Sequence, residues 1–351
     1  MSTQAIEEVI KITATDAPQL LMDVMEAGLV PYMVSSPGIG KSDIAKEIAK
    51  KGNLFLIDMR LAGCDPTDLN GFPALNGDRA SYKQFEDFPI AGDKPPKGYD
   101  GWLLLLDELS SAPRGVQASC YKLILDRMVG NKKLHENVVM MACGNLATDG
   151  AIVNNLSTAL QSRMIHFQLA FDSAAWFSWA NRTQIDMRIV GYLNWRPENM
   201  HNFNPNHNDK TYPCGRTWEF MHRIINDWKT IEHSKLPILC GTVGQGVGTE
   251  FFGFCKLYHN LPSLQMMLAS PDTVAIDTTD MGVMFALCSV IEANIDTTNA
   301  DKLIILVERM PPEFQVVCLQ QVCSNKPSIV AVPAIAKWVT NHASDLLVSS
   351  R

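Results

Sequence analysis

The sequence lacks the features of several specialised protein classes. Its nine cysteines include no Cys-x-x-Cys pair, which disfavours a zinc knuckle or a thioredoxin-like site and indicates reduced, buried thiols. Gly, Pro or a charged residue interrupts every long apolar stretch, so no membrane span is predicted. The N-terminal residues show neither the basic nor the apolar segment of a signal peptide, and we therefore expect a cytoplasmic protein.

Basic residues are too few for a general nucleic-acid binder. The chain has 30 Lys and Arg against 37 Asp and Glu, which gives a formal net charge of -7. Proteins whose main task is to hold DNA carry the opposite sign, because neutralisation of phosphates supplies most of their affinity. Nucleic acid is therefore not expected as a partner. The absence of a fixed-period repeat also disfavours a solenoid.

The first half of the chain has the pattern of an α/β domain. Short apolar runs, typical of buried parallel strands, alternate with amphipathic helical patterns. The predicted strands are residues 30–35, 53–59, 102–106, 138–143 and 164–169. This alternation predicts a doubly wound parallel sheet over residues 1–172, with ligands at the carboxyl ends of the strands.

The second half is predicted to be entirely helical. The predicted helices are residues 173–181, 184–194, 217–229, 239–258, 281–294, 302–309, 312–322 and 332–346. We expect a helical lid over residues 173–262 and a C-terminal helical region over residues 263–351. With 351 residues, the chain is long enough for about two domains of ordinary size.

A glycine-rich segment between the first strand and its helix carries the sharpest functional signal. It reads Ser-Ser-Pro-Gly-Ile-Gly-Lys-Ser over residues 35–42, in the strand–helix context that a phosphate-binding P-loop requires. Backbone N–H groups of such a loop point at phosphate, its lysine neutralises phosphate oxygens, and its last hydroxyl binds Mg2+. The predicted nucleotide-binding residues are Ser36, Pro37, Gly38, Ile39, Gly40, Lys41 and Ser42. The alternative is a chance glycine-rich turn.

An apolar strand ends in two adjacent carboxylates, Asp107 and Glu108. At the carboxyl end of a parallel strand they would lie close to the P-loop. Asp107 could then hold Mg2+ through water, and Glu108 could orient and deprotonate an attacking water. An acidic pair that merely caps the next element is the alternative interpretation.

Three further residues complete the predicted site. Asn145 follows the next predicted strand, where its amide could position a water between the carboxylates and the γ-phosphate. Arg163 precedes the strand at 164–169, at the end of a predicted helix over residues 155–162, and Arg216 begins a helix of the second half. Phosphoryl transfer needs positive charge at the γ-phosphate, from a neighbouring subunit or a closing lid. A turn-forming asparagine and surface arginines are the alternatives.

The order of these features resembles the AAA+ superfamily of ATPases, and more narrowly its MoxR-type group, which includes dynein-related AAA domains and the helper ATPases of chelatases. The resemblance spans about residues 16–320. It is carried by Ile-Asp-Met-Arg-Leu (57–61), Asp-Pro-Thr-Asp-Leu-Asn-Gly-Phe-Pro (65–73), Leu-Leu-Asp-Glu-Leu (105–109), Leu-Ile-Leu-Asp-Arg (123–127), Ala-Cys-Gly-Asn (142–145), Leu-Gln-Ser-Arg (160–163) and Pro-Cys-Gly-Arg-Thr-Trp-Glu (213–219).

The resemblance implies a fold and a set of roles. The fold would be a P-loop AAA+ five-stranded parallel sheet flanked by helices, followed by an all-helical lid and a C-terminal helical region. The residues would be Walker A (Lys41, Ser42), Walker B (Asp107, Glu108), sensor 1 (Asn145), the arginine finger acting in trans (Arg163) and sensor 2 (Arg216). The sequence departs from the pattern at Ser35, where the usual first residue is glycine, and at Met164, where an aromatic residue is commoner. Arg127 is the competing candidate for the finger.

The resemblance also implies a hairpin within the second helix of the domain. An Asn-Gly pair at residues 76–77 is flanked by strand-like residues, which predicts a two-residue hairpin in an insert over about residues 70–90. We leave open whether this hairpin grips substrates at the ring axis or is a surface hairpin without a role in substrate binding.

The predicted function is Mg2+-dependent hydrolysis of ATP by a homo-oligomeric, hexameric ring. Such a ring would remodel or activate a partner protein or assist metal insertion into it, and MoxR-type proteins usually work with a separate von Willebrand A-like protein. A DNA-directed AAA+ loader is the alternative, which the net charge disfavours. A small-molecule kinase suits the long helical half less well. A GTPase is disfavoured because the segment Asn-Lys-Pro-Ser (325–328) lacks the aspartate that pairs with guanine.

Overall fold

The computed structural model describes residues 10–146, 154, 156–204 and 210–341. The chain forms two compact units, one made mainly of residues up to Asp172 and one that begins at Ser173. The strands, all in the first unit, are β1 (Lys11–Ile12), β2 (Val30–Ser35), β3 (Leu54–Arg60), β4 (Phe72–Asn76), β5 (Arg79–Lys83), β6 (Gly101–Asp107), β7 (Met128–Val129), β8 (Lys132–Lys133), β9 (Val138–Asn145) and β10 (Met164–Leu169). The helices of this unit are α1 (Ala17–Glu26), α2 (Lys41–Lys51), α3 (Pro66–Asn70), α4 (Arg114–Asp126) and α5 (Thr158–Gln161).

The central sheet of the first unit is parallel and has six strands in the order β1-β10-β2-β9-β6-β3. Together with the helices around it and the helical second unit, it confirms the α/β fold class and agrees with the AAA+ fold. The prediction of five strands was wrong by one edge strand. The additional strand, β1, consists of Lys11 and Ile12 alone, which is too short to produce a periodic pattern in the sequence.

Both faces of this sheet are covered, which explains the continuous apolar runs of its strands. All seven residues of β6 are buried. Leu103 and Leu105 belong to a core with Ile44 and Ile48 of α2 on one face. Leu104 and Leu106 belong to a second core on the other face, together with Val116 and Leu123 of α4.

The strand order brings the candidate site together. After β2, at the centre of the sheet, the chain crosses to β3 at the far edge, and β6 and β9 then fill the positions between them. Parallel strands end at the same edge, so the segments that follow β2, β6 and β9 are neighbours. Such a switch in strand order opens a ligand-binding crevice at the carboxyl ends of the strands.

Two hairpins project from the sheet connections. β4 and β5 pair antiparallel, with Asn76 opposite Arg79. The turn residues are therefore Gly77 and Asp78 rather than the expected Asn-Gly pair, and Gly77 has a φ of 62°. The hairpin follows the five-residue helix α3, and residues 84–100 form no helix in the structure. The second hairpin, β7–β8, was not predicted, because its strands have only two residues each.

The second unit is helical throughout its described part. Its helices are α6 (Ser173–Arg182), α7 (Met187–Trp195), α8 (Gly215–Ile225), α9 (Leu236–Val243), α10 (Gln245–Asn260), α11 (Leu264–Ala269), α12 (Met281–Asn294), α13 (Ala300–Glu308), α14 (Pro312–Asn325) and α15 (Pro333–Asn341). The helix predicted over residues 239–258 is two helices, because Gly244 adopts φ 93° and ψ 155° between them. None of the described helices is long and apolar enough to cross a bilayer.

The helices of this unit pack closely, with small residues at the contacts. A Cβ atom at Gly191 of α7 would lie 2.3 Å from Ser289 Oγ of α12, so only glycine permits this approach. The contact joins segments on either side of residue 262. The division into a lid over residues 173–262 and a C-terminal region over residues 263–351 stays a prediction.

Candidate functional site

The loop between β2 and α2 has the backbone geometry that phosphate binding requires. Gly38 has a φ of 79° and Gly40 a φ of 102°, in the region that favours glycine. Gly40 lies directly before the first residue of α2, Lys41. The loop therefore curls around the N-terminus of an eleven-residue helix, and the dipole of a helix favours an anion at that end.

Lys41 connects this loop to the neighbouring strand β9. Its ammonium group donates to Ser35 O at 3.2 Å, to Ser35 Oγ at 3.0 Å and to Asn145 Oδ1 at 3.1 Å. Ser35 is fully buried and lies opposite Asn145 in the β2–β9 register. The serine in the usual glycine position is therefore a direct partner of the lysine. The sequence did not predict this contact, because a P-loop pattern records only that the residue is small.

Asp107 and Glu108 lie at the end of β6. Asp107 is 9% exposed, and its Oδ1 accepts a hydrogen bond from the Glu108 backbone N–H at 2.8 Å. Glu108 has a φ of 58° and begins a short 3-10 turn, Leu109–Ser111. A side chain other than glycine in this left-handed region stores on the order of 1–3 kcal/mol of strain. Such strain persists where the surrounding structure holds a residue in a single conformation, and residues of this kind cluster at functional sites.

Negative charge is concentrated at the end of β6 and β3. Burial, and then the neighbouring Asp107 carboxylate, raise the pKa of Asp58 on β3. The same two causes raise the pKa of the Cys143 thiol on β9. Asp58 was noted in the sequence only within a motif and not as a site residue. Arg60 and Lys46 act in the opposite direction and lower the pKa of Asp58, so this carboxylate already has cations near it.

The structure does not bring Arg163 into contact with these groups. Its side chain donates to Ala159 O in α5 and lies over the Tyr121 ring of α4, with 5.4 Å from Cζ to the ring centroid. α5 contains only Thr158–Gln161, shorter than the predicted helix, and residue 155 lies outside the described residues. Arg163 therefore rests on its own subunit's helices, close to the start of β10.

The competing arginine, Arg127, has a structural task. It ends α4 with a φ of 52°, and its guanidinium donates to the backbone oxygen of Val138. Val138 begins β9, whereas Asn145 ends it. Arg127 therefore binds the backbone at the end of β9 opposite Asn145. Burial lowers its pKa.

Arg216 belongs to the second unit, where it is exposed in the first turn of α8. That helix begins with a capping box in which Thr217 Oγ1 accepts from Cys214 N at 2.8 Å. The structure thus groups Lys41 with Asn145, and places Asp107 and Glu108 on the adjacent strand. Arg163 instead contacts Ala159 and Tyr121, and Arg216 belongs to the second unit.

One buried residue of the site was missed by the sequence reading. Ser110 is 2% exposed, and its Oγ accepts a hydrogen bond from the Asn145 backbone N–H at 2.9 Å. A serine two positions after an acidic pair carries no recognisable pattern. The contact depends on β6 and β9 being neighbours, which only the folded sheet establishes.

No protein-family model and no curated protein matches this sequence. Solved structures that match include a proposed ATPase from Cytophaga hutchinsonii, at 14% identity over 91% of this chain and 80% of the other, with a TM-score of 0.36. NtrX from Brucella abortus matches at 13% identity over 88% and 67% of the two chains, also with a TM-score of 0.36. Similarity at this level does not show the activity of this chain, which has to be inferred from the geometry of the site.

Proposed function

We propose that the protein binds ATP with Mg2+ and hydrolyses it. The observation that carries this proposal is the position of Lys41. Its ammonium group lies at the N-terminus of α2 and bonds the amide of Asn145 at 3.1 Å, one strand away from the Asp107–Glu108 pair. A cationic phosphate cradle beside two carboxylates and a neutral amide is the arrangement that phosphoryl transfer to water uses.

The residues present fit a nucleotide and its metal. The loop amides, Lys41 and the N-terminus of α2 would bind the phosphates. Ser42 and Asp107 supply the oxygen ligands that Mg2+ prefers, and the metal would neutralise charge on the β- and γ-phosphates. Within the described residues no three His, Cys, Asp or Glu side chains form a metal site on their own. Mg2+ would therefore depend on phosphate and water oxygens as well, which is its usual behaviour.

The remaining residues would act on the attacking water. Glu108 would accept its proton as general base. Asn145 directs Oδ1 to Lys41, because an ammonium group can only donate, and its Nδ2 group would donate to a phosphate or water oxygen. The candidate guanine motif is used differently. Asn325 donates to Glu292 Oε1, and Lys326 donates to Ala293 O at 3.0 Å and Ile295 O at 2.9 Å, so both side chains bind protein groups instead of a guanine base.

The replacement Lys41→Ala tests the nucleotide site. Loss of the ammonium group should raise the Kd for ATP by at least about 30-fold, since charge-assisted hydrogen bonds contribute roughly 1.5–3 kcal/mol each. Isothermal titration calorimetry with Mg-ATP measures this. Lys46→Ala is the matched control, because Lys46 lies on the same helix but is exposed and paired with Asp43 at 2.9 Å. Unchanged affinity in the Lys41→Ala protein would contradict the proposed site.

We also propose that the active form is a homo-oligomeric ring, hexameric by the AAA+ resemblance. Arg163 would act at the nucleotide of the adjacent subunit and Arg216 at that of its own subunit. Such a ring would remodel, activate or assist metal insertion into a client, with a von Willebrand A-like protein as the expected class of partner. The alternative of a DNA-directed loader has no support from the charge of -7.

ATP should promote the assembly of this ring, because the nucleotide phosphates would attract Arg163 of the neighbouring subunit. Mass photometry or sedimentation velocity with Mg-ATP, using Glu108→Gln to prevent turnover, should show closed oligomers. The double variant Glu108→Gln/Lys41→Ala is the control that binds no nucleotide. A strictly monomeric Glu108→Gln protein with ATP would contradict the ring.

A further inference from the structure

We propose that Ser110 is a positioning residue that holds Asn145 in the orientation needed to contact Lys41 and the terminal phosphate. This inference rests on the proposed nucleotide site and adds to it a residue that would touch neither ATP nor the attacking water. Ser110 lies in the turn Leu109–Ser111, directly after Asp107 and Glu108.

The hydroxyl of Ser110 holds both backbone groups of Asn145. It accepts from Asn145 N at 2.9 Å and donates to Asn145 O at 3.4 Å. The pairing of β9 with β6 ends at Ala142, opposite Leu106. Beyond that point the β6 side of β9 needs other partners for its backbone groups. The Ser110 hydroxyl supplies these partners at Asn145. It therefore holds the backbone of the residue that contacts Lys41.

A second buried hydroxyl, that of Tyr32, lies beside Ser110. Tyr32 on β2 is 4% exposed and is hydrogen-bonded to Ser110. Burial raises the pKa of Tyr32 to about 12, so its hydroxyl stays protonated at neutral pH. A Cβ atom at Gly144 would lie 2.2 Å from the Tyr32 hydroxyl and 2.8 Å from Ser110 Oγ. The absence of a side chain at Gly144 is therefore what allows these two hydroxyl groups to meet behind Asn145.

The backbone of the turn is held by bonds that do not involve the Ser110 hydroxyl. Ser110 O accepts from Asn154 N at 2.7 Å, and Glu108 O accepts from Ser111 N at 2.9 Å. Removal of Oγ should therefore leave the turn in place and release only Asn145. This separation makes Ser110→Ala a specific probe of the orientation of Asn145.

The first test measures nucleotide affinity without turnover. In the Glu108→Gln background, Ser110→Ala should raise the Kd for ATP by about 5- to 10-fold, the size of one lost hydrogen bond, and change the Kd for ADP by less than about 2-fold. Only ATP presents the γ-phosphate that Asn145 would contact. Ser119→Ala is the matched control, because it removes a hydroxyl that accepts from Asn70 Nδ2 at 2.9 Å, away from the site. Equal losses for ATP and ADP would overturn the proposal.

The second test is a double-mutant cycle on kcat. Ser110→Ala should lower kcat by about 10-fold in the wild-type background but by less than about 2-fold when Asn145 is already alanine, because coupled residues are not additive. The same factor in both backgrounds would overturn the proposal. If Ser110→Ala does not fold, Tyr32→Phe removes one partner of Ser110, and its effects on ATP affinity and kcat should likewise disappear with Asn145→Ala. A wild-type protein that neither binds nor hydrolyses ATP would instead refute the proposed function, and the inference with it.

Discussion

Replacement of Arg163 by alanine should lower ATP turnover by about 10³- to 10⁵-fold, the range associated with an arginine that stabilises the transferring phosphate. Within the described residues the guanidinium contacts two neutral groups, the Ala159 carbonyl and the Tyr121 ring. Its Nε is buried without a hydrogen-bond partner in the described part of the chain. An anionic phosphate of a neighbouring subunit offers a stronger partner, so the side chain should exchange these contacts for it in the ring.

Mixed rings determine on which subunit Arg163 acts. Arg163→Ala subunits keep an intact P-loop, and Lys41→Ala subunits keep an intact arginine. Mixing the two inactive proteins should restore part of the phosphate-release rate, because an intact P-loop then lies beside an intact Arg163. Mixing Arg216→Ala with Lys41→Ala should restore nothing, since each subunit would carry a defect at its own nucleotide.

Two outcomes would change the assignment. Restoration by Arg216→Ala but not by Arg163→Ala would reverse the two roles, and restoration by neither would remove the main support for a ring. Arg127→Ala is the useful comparison. Because Arg127 donates to the Val138 backbone at the start of β9, at the end of the strand opposite Asn145, its loss should lower the thermal stability of the protein rather than produce complementation in mixed rings.

The replacement Glu108→Gln should slow hydrolysis by about 10²- to 10⁴-fold while leaving ATP binding intact, the range expected for loss of a general base. Glutamine has nearly the same shape and makes the same backbone demand at φ 58°, but its amide cannot accept a proton. Single-turnover phosphate release, measured beside the Kd for Mg-ATP, separates chemistry from binding.

Glu136→Gln is the control for this change, because Glu136 is exposed near the start of β9, away from the P-loop edge. It should hydrolyse ATP at the wild-type rate. Near-normal turnover by Glu108→Gln would place the base elsewhere, with Asp58 as the next candidate because burial and Asp107 already raise its pKa. A parallel loss of ATP affinity would indicate a structural rather than a chemical role for Glu108.

Much of the first unit could be read from local sequence. The strands β2, β6, β9 and β10 were located within about two residues, because buried parallel strands are short apolar runs. The predicted ends of the helices in the second unit were less accurate, as the predicted helix 217–229 and the observed α8, Gly215–Ile225, show. Residues 239–258 have a continuous amphipathic pattern, yet Gly244 breaks them into two helices, since glycine tolerates φ 93° and the pattern carries no record of that angle.

The sequence by itself determined the residue types of the candidate site and their order along the chain. A P-loop is a local pattern of glycines and lysine between a strand and a helix, and the pairs and single residues that follow apolar strands are equally local. Tertiary structure alone decided which of them meet. Lys41 contacts Asn145 across 104 residues and Ser110 contacts Asn145 across 35, because the sheet places β2 and β6 on either side of β9. Hydrogen bonds between distant segments follow from strand order, for which no short stretch of sequence carries a signal.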